Sequence, residues 1–268
     1  MPTDETIPLI EELLAAQRQG HSVVLATIIR ARGSVPRHAG SKMLVYEDGH
    51  ISGTVGGGEM ESRVIAEARA ALHDANPRLV PYSLVDPTRG DPGVCGGEME
   101  IYLEPYLPPA TVFVIGAGHV GQAVADLAHW LGYRVAVHDD RTELVNEETI
   151  PHADAYLSGD IDQALARQPI TRNTFIILTT RNVTVDRQIL PRLIGTPAPY
   201  IGVIGSRKRW QHTKKLLLED GHTEEQLSQF HSPVGLELNA ETPEEIAVSI
   251  MAEIIMISRG GSGERMSG

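Results

Sequence analysis

The sequence contains a single cysteine, Cys95, among its 268 residues, so no disulfide bond can form within the chain. The absence of disulfides is typical of a reducing compartment, and we expect a cytoplasmic protein. Basic residues are also few: 23 Lys and Arg stand against 35 Asp and Glu, which gives a formal net charge of −12. Since nucleic acids and anionic membranes bind basic surfaces, we expect neither as a partner. No apolar run approaches the roughly 20 residues that a membrane-spanning helix needs.

Residues 111 to 141 carry the pattern of a dinucleotide-binding unit. The apolar segment Thr111–Ile115 predicts a buried parallel strand, and a glycine-rich turn, a helical pattern and a second strand ending at Asp139 follow it. In such units the turn lets the backbone approach a pyrophosphate at a helix N-terminus, and the acid meets a ribose hydroxyl. The predicted nucleotide site consists of Gly116, Gly118, His119, Gly121, Asp139, Asp140 and Arg141. Its two acids predict NAD rather than NADP, because a 2′-phosphate would meet two carboxylates.

Strand and helix patterns alternate through the rest of the C-terminal half, which predicts a parallel sheet with helices on both faces. Ser206 and Arg207 follow one of these strands, at the end where such sheets bind ligands, and we expect them to face a phosphate. Thr242 and Glu245, with Pro243 between them, predict the start of the last helix. This helix is apolar almost all round, so we expect it to be buried.

The predicted fold class is α/β, with two domains. A C-terminal Rossmann-like, doubly wound parallel sheet covers residues 111–260, and an N-terminal α+β domain covers residues 1–107. In the N-terminal domain the Asp48-Gly49 pair between two apolar runs predicts a hairpin. The proline-rich residues 107–110 form the predicted linker.

Residues 28 to 46 contain four basic residues and no carboxylate: Arg30, Arg32, Arg37 and Lys42. In so acidic a chain this stretch predicts either a site that grips a phosphate or other oxyanion, or a solvated loop.

The consecutive glycines Gly56, Gly57 and Gly58 lie between a strand and a helix, where backbone N–H groups can surround an anionic ligand. A turn that merely allows close packing explains them equally well. Glu61, in the first helical turn, either stabilises the helix dipole or binds a polar group of a ligand.

Cys95 lies in a polar, glycine-rich loop and is followed by Gly96 and Gly97. An isolated cysteine is usually a small buried hydrophobic residue. In this loop, however, neighbouring backbone N–H groups would favour the thiolate, which can bind a transition metal, carry sulfur or attack an electrophile. We therefore place Cys95 at a reacting or metal-binding centre, together with Arg37 and Glu61.

Several segments together resemble the XdhC/CoxI family of accessory proteins for xanthine dehydrogenase and related molybdenum hydroxylases. The segments GSVPRHAGSKMLV, GTVGGGEMES and VCGG are similar to the signatures of its N-terminal domain. The segments VFVIGAGHVG, VAVHDDR, YIGVIGSRKR and HSPVGLELNAETPEEIAVSIMAEII are similar to those of its Rossmann domain. The chain departs from the family at Thr179–Asp186, where a family histidine is absent, and at Asn239, where we expect glycine.

The resemblance implies a cytoplasmic homodimer that binds molybdenum cofactor (molybdopterin). Such a protein shelters the cofactor while a cysteine desulfurase supplies its sulfido ligand, and then delivers it to an apo molybdenum hydroxylase. By this resemblance Cys95 is a transient molybdenum ligand, and the protein is more an accessory factor than a catalyst. Two alternatives stay open: an NAD(P)-dependent oxidoreductase that uses the Rossmann domain, and an assembly factor in which only the dimer surface matters.

Overall fold

The computed structural model describes residues 6–83 and 97–266 of the chain. The chain divides into two compact units, Met1–Pro108 and Pro109–Gly268. Within the described residues, none of the helices combines the length and the apolar character needed to cross a bilayer.

The N-terminal unit is a five-stranded antiparallel sheet with a helix on each face. Along the chain the strands are β1 Val23–Arg32, β2 Lys42–Tyr46, β3 Ile51–Gly53, β4 Arg78–Ser83 and β5 Glu98–Tyr106. They lie in the order β3-β2-β1-β5-β4. The helices are α1 Thr6–Arg18 and α2 Gly58–Asp74.

Alternation along β1 explains why both faces of this sheet carry a helix. Val24 and Ala26 belong to the core that includes Val64 of α2, whereas Leu25 packs with Leu13 of α1. Because successive side chains of a strand point to opposite faces, one apolar strand supplies both cores.

The C-terminal unit is a six-stranded parallel sheet in the order β8-β7-β6-β9-β10-β11. Its strands are β6 Thr111–Ile115, β7 Arg134–Asp139, β8 Ala155–Ser158, β9 Thr174–Leu178, β10 Tyr200–Val203 and β11 Phe230–His231. Counted from β6, this is the 3-2-1-4-5-6 order of the Rossmann fold. The fold class predicted from the sequence is confirmed. In such sheets a ligand binds at the carboxyl ends of the strands, where the order reverses between β6 and β9.

Helices cover both faces of the parallel sheet. They are α3 His119–Trp130, α4 Ile161–Arg167, α5 Val183–Leu193, α6 Arg207–Glu219, α7 Glu224–Leu227 and α8 Pro243–Arg259. One core joins α3 and α8 through Val124 and Ile250, and the other joins α5 and α6 through Leu193 and Leu217. Every residue of β6 is buried between these cores, which accounts for its unbroken apolar sequence.

The last helix begins as the sequence predicts but is not fully buried. Thr242 and Glu245 form a capping box, with Pro243 at the start of α8. One face of α8 is buried, while Val248 and Ile255 stay exposed on the other. The expected burial applies to the face of α8 that meets the sheet and α3.

Candidate functional site

The glycine turn, residues 116–121, connects β6 to α3 at the switch point of the sheet. A Cβ atom built on Gly121 would lie 1.9 Å from the carbonyl oxygen of Gly116, and one on Gly116 would lie 2.6 Å from the carbonyl oxygen of Thr179. The Thr179 hydroxyl donates a hydrogen bond to the Gly116 carbonyl at 2.6 Å. Gly118 caps α3, and a Cβ atom there would meet nothing within 4 Å. Close packing therefore demands glycine at positions 116 and 121, while position 118 faces open space.

Asp139 ends β7 beside this turn, and its carboxylate is saturated with hydrogen bonds although it is only 3% exposed. Oδ2 accepts from the backbone N–H of Ala117 at 2.8 Å and from Nη2 of Arg141 at 2.9 Å. Oδ1 accepts from the backbone N–H and from Nε of Arg141, both at 2.9 Å. Since a carboxylate has about four acceptor positions, Asp139 has none left for a ribose hydroxyl without releasing a present donor.

Asp140 forms a bidentate ion pair with Arg181, which follows β9. The two N–H···O distances are 2.6 and 2.7 Å. The Arg181 guanidinium holds the pKa of the Asp140 carboxyl well below its usual range. The pair joins the ends of β7 and β9, the neighbours of β6 on either side.

A cavity of about 490 Å³ lies at this edge of the sheet. It is lined by Ile115, Gly116, His138, Asp139, Asp140, Gly159, Asp160, Ile161, Thr180, Arg181, Val185, Gln188, Ile189 and Arg192. The charged groups that line it are of both signs, and apolar side chains lie between them. A cavity of this size and composition suits a small organic ligand.

His138 lines the cavity with a neutral ring. Burial lowers the pKa of His138, against the opposing effects of the Gly159 carbonyl and nearby carboxylates. Its Nε2 lies 3.0 Å from the carbonyl oxygen of Gly159, so that nitrogen carries the proton. Nδ1 is buried and has no hydrogen-bond partner within the described segments. Buried polar atoms without partners are uncommon in folded proteins and often mark functional sites.

Ser206, Arg207 and His119 do not line this cavity. The Ser206 hydroxyl accepts the backbone N–H of Arg209 at 3.1 Å and caps α6, and Arg207 is exposed. His119 lies instead in a groove of about 540 Å³ between α3 and α8.

The segments near the cavity are held together by the buried carboxylate of Asp186. Asp186 is fully buried, and Arg209 donates to it at 2.7 Å and to the Thr180 hydroxyl at 2.9 Å. Burial raises the pKa of Asp186, against the hydrogen bonds from Thr180 and Arg209. The cluster joins the segment after β9 to α6, which explains why an acid is needed at position 186.

In the N-terminal unit, the glycine loop, residues 55–58, is organised by Glu61. The carboxylate accepts the Thr54 hydroxyl and the backbone N–H of Val55, the latter at 3.3 Å. Burial by itself raises the pKa of Glu61, but hydrogen bonds from Thr54 and from the backbone of the glycine loop outweigh it and lower the pKa below its usual value. Glu61 thus fixes the loop that the sequence predicts to hold an anion.

Parts of three sequence motifs meet in this unit. A Cβ atom on Gly56 would lie 2.6 Å from Cγ of Pro36, and one on Gly97 would lie 2.3 Å from the carbonyl oxygen of Ser34. The loop after β1 therefore packs against both the glycine loop and the start of β5. Cys95 and Gly96 precede Gly97 and lie outside the described residues.

The basic stretch between residues 28 and 46 is not free of acids in the folded unit. Arg30 pairs with Glu100 of β5 at 3.2 Å, and the Lys42 ammonium donates to the Thr27 hydroxyl at 3.0 Å. Arg32 lies opposite Glu98 in the register of β1 and β5. Cross-strand pairing thus supplies the carboxylates that the local sequence lacks. Arg37 is half-buried in the loop beside Pro36.

Nowhere in residues 6–83 and 97–266 do three or more His, Cys, Asp or Glu side chains come together as a metal site.

These features define a protein with an antiparallel α+β unit and a C-terminal Rossmann-fold unit. The chain belongs to the XdhC and CoxI family, as the sequence motifs suggested. Residues 112–254 match the XdhC Rossmann domain, and residues 16–83 match the XdhC and CoxI family.

Three similar proteins each align with more than 90% of this chain. It is 35% identical over 263 residues to YqeB of Escherichia coli (strain K12), covering 96% of this chain but 48% of YqeB, so it spans about half the length of that relative. It is 25% identical over 325 residues to a protein of Bacillus subtilis (strain 168) named as a probable component of xanthine dehydrogenase, covering 92% and 96% of the two chains. It is 24% identical over 286 residues to the Escherichia coli (strain K12) molybdenum cofactor insertion chaperone PaoD, covering 95% and 89%.

A solved structure shares the fold. A crystal structure described as a xanthine dehydrogenase from Bacillus halodurans aligns over 96% of this chain and 97% of that one, with 24% identity and a TM-score of 0.50.

Proposed function

We propose that this protein binds molybdenum cofactor, protects it during sulfuration and delivers it to a xanthine dehydrogenase-type hydroxylase. The family and the name of its relative PaoD support an accessory role of this kind. The observation that carries the proposal is the meeting of the family's N-terminal motifs: Pro36 packs against Gly56, and Ser34 packs against Gly97. Segments that come together in the fold can act on one ligand.

The donor groups at this place fit an anionic, thiophilic cargo. Gly57 and Gly58 face open space, so a ligand can approach their backbone closely. Arg37 supplies a positive charge from the neighbouring loop, and Glu61 keeps the glycine loop in shape. In this proposal Cys95, two residues before Gly97 in the sequence, supplies a single soft thiolate to molybdenum. A single thiolate ligand beside polar backbone groups can hold the cofactor and still release it to the recipient enzyme.

The proposal includes partners and a setting. The protein acts as a cytoplasmic homodimer, with a cysteine desulfurase as sulfur donor and an apo-hydroxylase as recipient. The Rossmann unit binds a nucleotide, with phosphates at the glycine turn, residues 116–121, and the nucleoside in the cavity beside it.

The cavity also favours a second candidate, an NAD(P)-dependent oxidoreductase. Hydride transfer needs an acid or base beside the reacting carbon. His119, the histidine of the glycine turn, lies in the groove between α3 and α8 and not in the cavity. Asp139 is held by four hydrogen bonds. We therefore rank the carrier function first.

Cofactor transfer tests the carrier function. The protein is loaded with molybdenum cofactor and mixed with apo-hydroxylase, and the recovered hydroxylase activity is measured. We expect Cys95→Ser to lose cofactor retention and Arg37→Ala to weaken it. Arg69→Ala, which removes the same charge from an exposed position of α2, should behave as the parent. Unchanged transfer by both Cys95→Ser and Arg37→Ala would overturn the site, and hydride transfer to NAD(P) by the purified protein would favour the second candidate.

A further inference from the structure

We infer that the Rossmann unit selects an adenosine nucleotide whose ribose carries a phosphate, and that Arg141 determines this specificity. The inference deepens the proposed function and rests on its statement that this unit binds a nucleotide. It reverses the preference that the sequence alone predicts, because the carboxylates at the end of β7 are not free.

The first step concerns the acid that would bind an unmodified ribose. In Rossmann proteins the acid at the end of the second strand accepts the ribose 2′-hydroxyl, whereas a nearby arginine accommodates a 2′-phosphate. Here the four acceptor positions of Asp139 are occupied by the N–H groups of Ala117 and Arg141. A ribose hydroxyl could bind Asp139 only by displacing one of them, which would leave a donor beside the glycine turn without its partner.

The second step concerns the charge that a ribose phosphate would meet. Asp139 is paired with Arg141 and Asp140 with Arg181, so neither acid presents an uncompensated negative charge. Asp139 binds Arg141 through Nε and Nη2, and this contact leaves Nη1 of the guanidinium for another acceptor. The Arg141 side chain is 38% exposed, so those donors are within reach of a ligand. Guanidinium groups bind phosphate oxygens in this geometry.

The third step concerns the space for the rest of the nucleotide, which Asp139 lines and Arg141 does not. Asp139, which fixes Arg141, also lines the cavity of about 490 Å³ with Gly116 of the glycine turn. His138 lines the same cavity. Apolar side chains such as Ile115 and Ile161 line it as well, and they suit contact with the flat face of a base.

Three small probes test the inference by calorimetric titration of the full chain. Adenosine 2′,5′-bisphosphate and adenosine 3′,5′-bisphosphate carry the ribose phosphate in its two natural positions, and adenosine 5′-monophosphate lacks it. We expect a bisphosphate to bind at least about tenfold more tightly than the monophosphate, as a charge-assisted contact implies. The tighter of the two bisphosphates identifies a ligand of the NADP type or of the coenzyme A type.

Arg141→Ala should reduce that ratio to within about twofold, and Arg141→Lys should give an intermediate ratio, since lysine keeps the charge but not the planar fork. Arg187→Ala is the matched control, because Arg187 is a similarly exposed arginine that pairs with an aspartate, Asp220. Equal or tighter binding of the monophosphate, an unchanged ratio in Arg141→Ala, or no binding of any probe would overturn the inference. Retained cofactor transfer with no ribose-phosphate preference would refute this inference alone, and the converse result would refute the carrier function alone.

Discussion

Arg181 and Asp140 meet in a two-point ion pair, with N–H···O distances of 2.6 and 2.7 Å, across the end of the central strand β6. They are 41 residues apart in the chain. The pair therefore ties the ends of β7 and β9 together at the rim of the cavity.

Removing this pair should change the pKa of Asp140 clearly and the free energy of unfolding only slightly. In Arg181→Gln we expect the pKa of Asp140 to return toward its usual value of 3.8, because the guanidinium that lowers it is gone. Both side chains are 40% or more exposed, so solvent screens the pair and the loss of stability should stay at or below about 1 kcal/mol. An NMR titration of the Asp140 carboxyl measures the first effect, and urea unfolding the second.

The sign of the associated pH dependence is fixed by the lowered pKa. The stability that this pair contributes is present above the unfolded pKa, near 3.8, and is lost as the pH falls through the lower pKa of the folded protein. The difference in unfolding free energy between the parent and Arg181→Gln should therefore shrink below pH 3.8. Arg187→Gln, which breaks the pair with Asp220, is the control and should leave the Asp140 titration unchanged. A difference that grows toward low pH would contradict the assignment.

Substitution by alanine should reduce stability much more at Gly121 than at Gly118, although both glycines lie in one turn. In Gly121→Ala the new Cβ atom would lie 1.9 Å from the Gly116 carbonyl oxygen, so backbone must move, and we expect a loss of about 2–4 kcal/mol in urea unfolding. In Gly118→Ala nothing lies within 4 Å and φ is −73°, so stability should change by less than about 1 kcal/mol. Nucleotide binding should still weaken in Gly118→Ala, because the methyl group occupies the approach to the turn. Equal stability losses in the two variants would show that the turn relaxes more freely than its packing implies.

Asn239 adopts a backbone conformation that accounts for the expectation of glycine at this position. Its φ is +53°, in the left-handed region that glycine adopts freely and asparagine tolerates better than other residues. We expect Asn239→Gly to keep the parent's stability within about 0.5 kcal/mol, and Asn239→Val to lose about 1–2 kcal/mol in thermal or urea unfolding. Asn239→Asp is the control for polarity alone. A valine variant as stable as the parent would show that the backbone changes conformation here at little cost.

The features predicted well from the sequence are those encoded by neighbouring residues. The strand Thr111–Ile115 has the bounds that its apolar pattern predicts, and the capping box at Thr242 starts α8 as expected. Local periodicity and capping chemistry suffice for such elements.

The features that escaped prediction depend on contacts between distant parts of the chain. Arg30 and Glu100 are 70 residues apart, so the cross-strand pair that compensates the basic stretch has no local signature. The same holds for Asp186 and Arg209, 23 residues apart, which join two segments at the sheet edge. The pairing of Asp139 with Arg141 is local, but a carboxylate at this position is usually assigned to a ribose, and only the geometry shows its donors. Sequence therefore predicts local elements better than it predicts which charged groups are already paired.

Glu61 and Glu59 provide a matched pair for the N-terminal site, since both acids lie in the first turn of α2. Glu61 accepts hydrogen bonds from the Thr54 hydroxyl and from Val55 N–H at 3.3 Å, whereas Glu59 is exposed. We expect Glu61→Ala to lose about 1–3 kcal/mol in urea unfolding, because donors of the glycine loop lose their acceptor, and Glu59→Ala to lose less than about 0.5 kcal/mol. Since both variants remove one negative charge from the helix start, the difference between them isolates the hydrogen bonds from the dipole effect.

The lowered pKa of Glu61 also sets the direction of the pH dependence. The stability that Glu61 contributes is present above the usual pKa of 4.5 and is lost as the pH falls below that value. If Glu61 holds the loop in its binding shape, Glu61→Ala should also retain less molybdenum cofactor than Glu59→Ala. Equal retention by the two variants would show that cofactor binding does not depend on the hydrogen bonds of Glu61.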